Sequence, residues 1–176
     1  MTWRNISKIR GEERMKILIV SDTHRRDANL EEVLEKEKPV DCLIHLGDVE
    51  GSEDYIRELV QCPVHMVSGN CDFFCDLPRE EEFSLGKYRV MITHGHYYYV
   101  SLDFQEIRRQ AEARGVDIVM FGHTHRPLLE KEDGVLLLNP GSLSFPRQEG
   151  RKPSYILMEL DDDGEAEFQV CYLKHR

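Results

Sequence analysis

A chain of 176 residues, 40% hydrophobic and 32% charged, can bury about 70% of its extended surface in one core, and its composition excludes a disordered or fibrous protein. Its longest aliphatic runs, Ile17–Val20 and Val135–Leu138, are far too short to span a bilayer, so no membrane partner is expected. The formal net charge of −10 repels polyanions, which argues against duplex nucleic acid and requires a local positive centre, such as bound metal, for any anionic ligand. Five cysteines, an odd number, and no apolar leader fit a reducing, cytoplasmic location.

Residues 1–14 carry basic side chains without an apolar period and read as an N-terminal extension, disordered or produced by a misplaced start. One domain is expected over residues 15–176. Its apolar runs predict strands over 16–21, 42–46, 64–67, 117–121, 134–138, 154–160 and 166–173, with 82–85 paired to 88–93 across Gly86-Lys87. Helices are predicted over 27–38, 52–61 and 103–114, with Asp27 and Ser52 as N-caps, an Asp103/Glu106 capping box and Gly115 as a stop. Helices between strands give βαβ units, and the two late hairpin-like strands predict a second, more antiparallel sheet. The expected fold is therefore α/β, a layered β-sheet sandwich flanked by helices.

Five strands run directly into short polar turns: Ser21-Asp22-Thr23-His24, Leu46-Gly47-Asp48, Ser68-Gly69-Asn70-Cys71-Asp72, Thr93-His94-Gly95-His96 and Gly122-His123-Thr124-His125. At the carboxyl ends of parallel strands such turns gather along one edge, where α/β proteins place their ligands. Asp22, His24, Asp48, Asn70, His94, His123 and His125 then offer imidazole nitrogens and hard oxygens without a thiolate. That set suits divalent zinc, manganese, iron, nickel or cobalt. Seven donors are too many for one tetrahedral ion and suit two ions sharing a carboxylate. Taken singly, each residue would be a turn, cap or hydrogen-bonded loop residue. Structural turns, however, have no reason to collect four imidazoles and two carboxylates at strand ends.

The five motifs in this order resemble the calcineurin-like metallophosphoesterase superfamily. The Gly69-Asn70-Cys71-Asp72 form of the third motif, with Asn139-Pro140-Gly141-Ser142, is similar to its small YfcE-type phosphodiesterase branch. The resemblance covers Met15 to the C-terminus. It implies a two-sheet sandwich with a binuclear metal centre, manganese favoured. One ion would be held by Asp22, His24, Asp48 and His125, the other by Asp48, Asn70, His94 and His123, with Asp48 bridging. The implied reaction is hydrolysis of a small phosphodiester by a metal-bridging hydroxide, with Asn70 and His96 as catalytic candidates. In the wider superfamily a His commonly follows the Asn of the third motif and assists the leaving oxygen; Cys71 stands there, which leaves the general acid unassigned. The alternative is a non-catalytic protein-interaction scaffold on the same fold, which would have no need of all seven donors. A nuclease of the same superfamily is disfavoured by the charge and by the lack of a capping domain. Assembly as a homo-oligomer is left open.

Other features read as structural. His45 and His65 lie in apolar strands, and His175 is in the tail. Tyr97-Tyr98-Tyr99 is expected to pack with one or two rings exposed. Asn139–Ser142 is a turn at the site edge, Arg147 a surface residue in preference to a ligand of substrate phosphate, and Asp161–Gly164 a solvated hairpin turn without EF-hand spacing. Cys71 and Cys75 read as two free thiols.

Overall fold

In the computed structural model, which describes residues 14–174, the strands are β1 (Met15–Val20), β2 (Cys42–His45), β3 (Val64–Met66), β4 (Glu80–Leu85), β5 (Tyr88–Thr93), β6 (Ile118–Met120), β7 (Pro127–Glu132), β8 (Val135–Pro140), β9 (Ser154–Leu160) and β10 (Ala166–Tyr172). They form two five-stranded sheets, ordered β10-β9-β1-β2-β3 and β4-β5-β6-β8-β7. Helices α1 (Ala28–Glu37) and α2 (Glu53–Glu58) cover the first sheet, and α3 (Gln105–Arg114) covers the second. The layered sandwich expected from the sequence is the fold observed. The predicted extension over residues 1–14 lies outside the described residues except for Arg14, as does His175.

Period-2 geometry explains why the central strands are apolar at every position. Ile17 and Ile19 of β1 point between the sheets to join Ile44, Ile92, Met120 and Leu138, whereas Leu18 and Val20 turn outward to Leu30 and Val33 of α1 and Ile56 of α2. On the far side, Met91, Val119 and Leu137 meet Ile107 and Ala111 of α3. Each fully buried aliphatic side chain contributes roughly 1.5–3 kcal/mol. These layers fix the two sheets face to face and leave the strand ends to carry chemistry.

Several elements differ from expectation. The late hairpin β9–β10 does not start a second sheet; β9 pairs antiparallel with β1, and six of its seven residues are buried. The second sheet is built instead from β4 to β8. Strand β7 was not predicted, because its Pro start and exposed Glu-Lys-Glu end mark an edge strand with little apolar alternation. The turn Asp133-Gly134, both at positive φ, returns it to β8. Asp27 and Ser52 do occupy N-cap positions, but neither side chain caps; Ser52 Oγ donates to Val49 O at 2.8 Å. Phe104, not Asp103, is the N-cap of α3, while Gly115 ends that helix in the left-handed region as expected.

Candidate metal centre

Strands β1, β2 and β3 are parallel in one sheet, and β5 and β6 are parallel in the other. Their carboxyl ends deliver Asp22 and His24, Asp48, Asn70, His94, and His123 with His125 to one edge. Five of the seven, Asp22, His24, Asp48, His123 and His125, adopt positive φ. A non-glycine residue there costs on the order of 1–2 kcal/mol, a strain the surrounding packing must hold.

The seven side chains converge in two halves. Asp22 Oδ1 lies 3.0 Å from His125 Nε2 and 3.8 Å from His24 Nε2, and the two imidazole Nε2 atoms are 3.4 Å apart. In the other half, Asn70 Oδ1 lies 3.1 Å from His94 Nε2 and 2.8 Å from His123 Nδ1. Asp48 Oδ2 stands between them, 3.7 Å from His24 Nε2 and 3.3 Å from His94 Nε2. Asp22, His24, Asp48 and His125 alone place four donor atoms within 4.8 Å of one another.

The tautomers show what these atoms can hold. His94 Nδ1 donates to Leu46 O at 2.6 Å, and His125 Nδ1 to Phe145 O at 2.7 Å; a carbonyl only accepts, so both Nδ1 atoms carry hydrogen. His24 Nδ1 likewise faces Glu50 Oε1 at 2.6 Å. In the neutral rings each Nε2 is then a lone pair aimed at other acceptors. Asp22 Oδ1 is fully buried and accepts no hydrogen bond among the described residues. Acceptors facing acceptors in a buried site are what a divalent cation relieves, so the residues fit the metal that the sequence pattern implied.

The surrounding residues orient this set. Asp72 accepts from three backbone amides: Asp48 and Gly69 on Oδ2, and Glu50 on Oδ1. Ser21 Oγ donates to Asp22 Oδ2 at 2.6 Å, and Ser142 Oγ to Asp22 O at 2.8 Å. Asn139 Nδ2 donates to Gly122 O at 2.7 Å, fixing the turn that carries His123 and His125. Gly69 is required for space: a Cβ there would collide with the Asp48 carboxylate and amide. His45, buried in β2, receives the Gly47 amide on Nδ1 and faces Thr23 Oγ1 with Nε2, so it supports two of the motif turns. The sequence pattern assigns no role to the Glu50, Asp72, Asn139 and Ser142 side chains, although Asp72 closes the third motif and Asn139 and Ser142 belong to the turn expected at the site edge.

The side chains of the cluster shift one another's proton affinities. Burial disfavours the His94 imidazolium, but Asp22 and Asp48 outweigh it and raise His94 to about 9. Burial likewise works against the Asp22 and Asp48 carboxylates, yet the neighbouring imidazoles hold both below the usual range. His96, by burial and then by His94 and His123, is lowered to about 4, and His123 is lowered for related reasons. His96 opens a 3₁₀ turn, with its ring centroid 5.5 Å from that of His94 and 6.0 Å from that of His123, and its buried Nδ1 has no partner among the described residues. It therefore stands beside the His94 half. Tyr97 and Tyr99 are exposed, while Tyr98 is partly buried with its hydroxyl on Glu80. His65 stacks on Phe83 away from the site, Asp161 Oδ1 accepts two amides of its hairpin turn, and all five cysteines are free.

A two-sheet sandwich carrying such a cluster at its strand ends defines a metallophosphoesterase, and residues 15–163 match the calcineurin-like phosphoesterase superfamily domain, so this chain belongs to that superfamily. It is 35% identical over 150 residues to the probable metallophosphoesterase YsnB of Bacillus subtilis, covering 85% of this chain and 86% of that protein. It is 28% identical over 171 residues to the phosphodiesterase YfcE of Escherichia coli, covering 84% and 89%. The crystal structure of a predicted phosphoesterase from Streptococcus pneumoniae superposes with a TM-score of 0.76 at 32% identity, covering 93% of this chain and 91% of the other.

Proposed function

We propose that this protein is a metal-dependent phosphodiesterase with a binuclear centre. The carrying observation is the inward convergence of four imidazoles, two buried carboxylates and one amide oxygen, with Asp48 Oδ2 between the two halves. Asp22, His24, Asp48 and His125 would hold one divalent ion, and Asp48, Asn70, His94 and His123 the second, manganese being the first candidate. Ions held there supply Lewis acidity and activate water for in-line displacement at phosphorus.

The chain's own residues then have definable tasks. Leu46 O, Phe145 O and Glu50 keep three imidazoles in the tautomer that presents Nε2 to the cleft. Asp72 fixes the backbone carrying Asp48 and Glu50. His96, whose ring stands beside those of His94 and His123, would approach a phosphate oxygen on that side of the cleft. The name of the YfcE relative supports a diester substrate, and the acidic surface favours a small one. Free thiols agree with a cytoplasmic setting, and no helix of the described residues is long and apolar enough to cross a membrane.

The test reconstitutes the protein with manganese, counts bound ions by elemental analysis, and compares bis(p-nitrophenyl) phosphate with p-nitrophenyl phosphate. Two ions per chain and preferential diester turnover are expected. Two bound ions with no turnover of either ester would favour the interaction scaffold, and one ion at saturation would overturn the binuclear assignment.

A further inference from the structure

Several arginines of this acidic protein are neutralised by neighbouring carboxylates. Arg89, Arg108, Arg109 and Arg114 all pair with glutamates on the second sheet or α3. Arg126, Arg147 and Arg151 have no carboxylate partner among the described residues, and all three line a single cavity of about 580 Å³ with His24, His125, Phe145 and Pro146. The only other arginine at this wall with a described contact, Arg26, lies with its guanidinium 4.5 Å from the Phe145 ring centroid. Arg57 and Arg79 also lack a carboxylate partner among the described residues but lie elsewhere, on Val64 O and over the Tyr97 ring; on a chain with net charge −10, three unneutralised guanidinium groups thus gather beside one half of the metal centre.

The segment carrying them is fastened to the ligand turns by its backbone. Arg147 N donates to His125 O at 2.9 Å, and His125 Nδ1 donates to Phe145 O at 2.7 Å. Ser144 Oγ donates to Thr23 O, and Phe145 N donates to Ser142 Oγ at 2.8 Å. Beside this fastened segment the exposed side chains of Arg126, Arg147 and Arg151 line the cavity. Guanidinium forks match phosphate oxygens in pairs, and three of them suit a doubly charged phosphate better than a singly charged carboxylate. The cavity volume fits a small ligand rather than a polymer.

We propose that this cavity is a second phosphate subsite, in which Arg126, Arg147 and Arg151 bind a non-scissile phosphate of a small phosphodiester whose scissile group lies at His24 and His125. The proposal rests on the phosphodiesterase reading and deepens it: the substrate class is a diester that bears a further phosphate. It takes up, for the exposed Arg147, the phosphate-binding alternative to a surface role.

The test uses the p-nitrophenyl ester of thymidine 5′-phosphate with and without a 3′-phosphate, the nucleoside serving only as a carrier. In the manganese-loaded protein the 3′-phosphorylated ester should have the higher kcat/KM, by about tenfold to 100-fold, the range of one charge-assisted hydrogen bond. Arg147→Ala and Arg151→Ala should each drive that ratio toward one, and Arg147→Lys should restore part of it. A ratio near one in the wild type, or an unchanged ratio in both alanine variants, would overturn the proposal. Calorimetry with thymidine 3′,5′-bisphosphate and thymidine 5′-phosphate keeps the subsite separate from the activity. If neither ester turned over, the hydrolase reading would fail, while tighter binding of the bisphosphate, lost in Arg147→Ala, would still support the subsite and equal binding would refute it.

Discussion

Asp72 holds Asp48 through the main chain: its Oδ2 accepts the Asp48 amide at 2.8 Å, while its Oδ1 accepts the Glu50 amide at 2.7 Å. Glu50 in turn faces His24 Nδ1 at 2.6 Å, so one carboxylate outside the ligand set orients residues of both halves. Asp72→Asn keeps the volume but offers one acceptor oxygen for three amides. We expect metal affinity to fall about 10–100-fold with little change in secondary structure. Metal titration with circular dichroism as a control checks this, and unaltered affinity would remove Asp72 from the supporting role.

Space at Gly69 is a second requirement. An added Cβ would meet both the carboxylate and the amide of Asp48, whereas at Gly51 it would meet nothing within 4 Å. Gly69→Ala is therefore expected to destabilise the protein by about 1–3 kcal/mol and to impair metal binding. Gly51→Ala, where only the positive φ opposes the methyl group, should retain metal binding. Denaturant melts and metal titrations of the two variants give the comparison; equal metal loss in both would contradict the packing argument.

Much of this was legible in the sequence, for a physical reason. Buried parallel strands are apolar throughout, so the abrupt change to Asp22-Thr23-His24 or Gly122-His123-Thr124-His125 marks strand ends without knowledge of the sheet order. What could not be read were pairings and side-chain directions. Nothing in the local pattern of β9 says that it adds to β1 rather than opening another sheet, and β7 hides behind its charges. Likewise Asp72 shares a motif with Asn70 yet turns toward backbone amides, and Asn139 reaches the His123 turn from a strand 16 residues later in sequence. These roles depend on contacts between distant segments, which period and spacing do not encode.

The titrating groups predict how the metal-free protein responds to pH. His94 is raised to about 9 from 6.5, so its contribution to stability is fully present below pH 6.5 and is lost as pH rises through about 9. Asp22 and Asp48 are lowered from 3.8, so theirs is present above that value and lost as pH falls through their folded values. His45 and His96, held down to about 4 chiefly by burial, take up protons more readily when unfolded, and stability therefore also falls from pH 6.5 toward 4. The melting temperature of chelator-treated protein should peak near pH 6.5. Bound metal should remove the alkaline fall, because the ligand imidazoles must then be unprotonated. Thermal melts from pH 4 to 9.5, with and without manganese, test this; a metal-free alkaline limb no steeper than the loaded one would count against the assignment at His94.

Cys71 raises the question of how the leaving oxygen is neutralised. An alkoxide departs from phosphorus with difficulty unless a proton or cation assists it, and positioned proton donation is worth about 10²- to 10⁴-fold. Burial, followed by the adjacent Asp48 carboxylate, pushes the Cys71 thiol up to about 12, and its amide is spent on Asp48 Oδ1 at 2.8 Å. The sulfur accepts from Asn70 Nδ2 at 3.3 Å, and a thiol is a weak donor in any case. The position is thus occupied by a group poorly suited to orient or protonate a leaving oxygen. We expect kcat/KM to fall steeply with increasing leaving-group pKa across aryl and alkyl phosphodiesters, because aryl oxides need less assistance. Cys71→His should flatten that dependence where its imidazole reaches the cleft, and Cys71→Ala should change it comparatively little. Both variants are to be assayed with metal content measured in the same samples. Abolished turnover in Cys71→Ala with both ions still bound would assign the thiol a direct role in the reaction and refute this account.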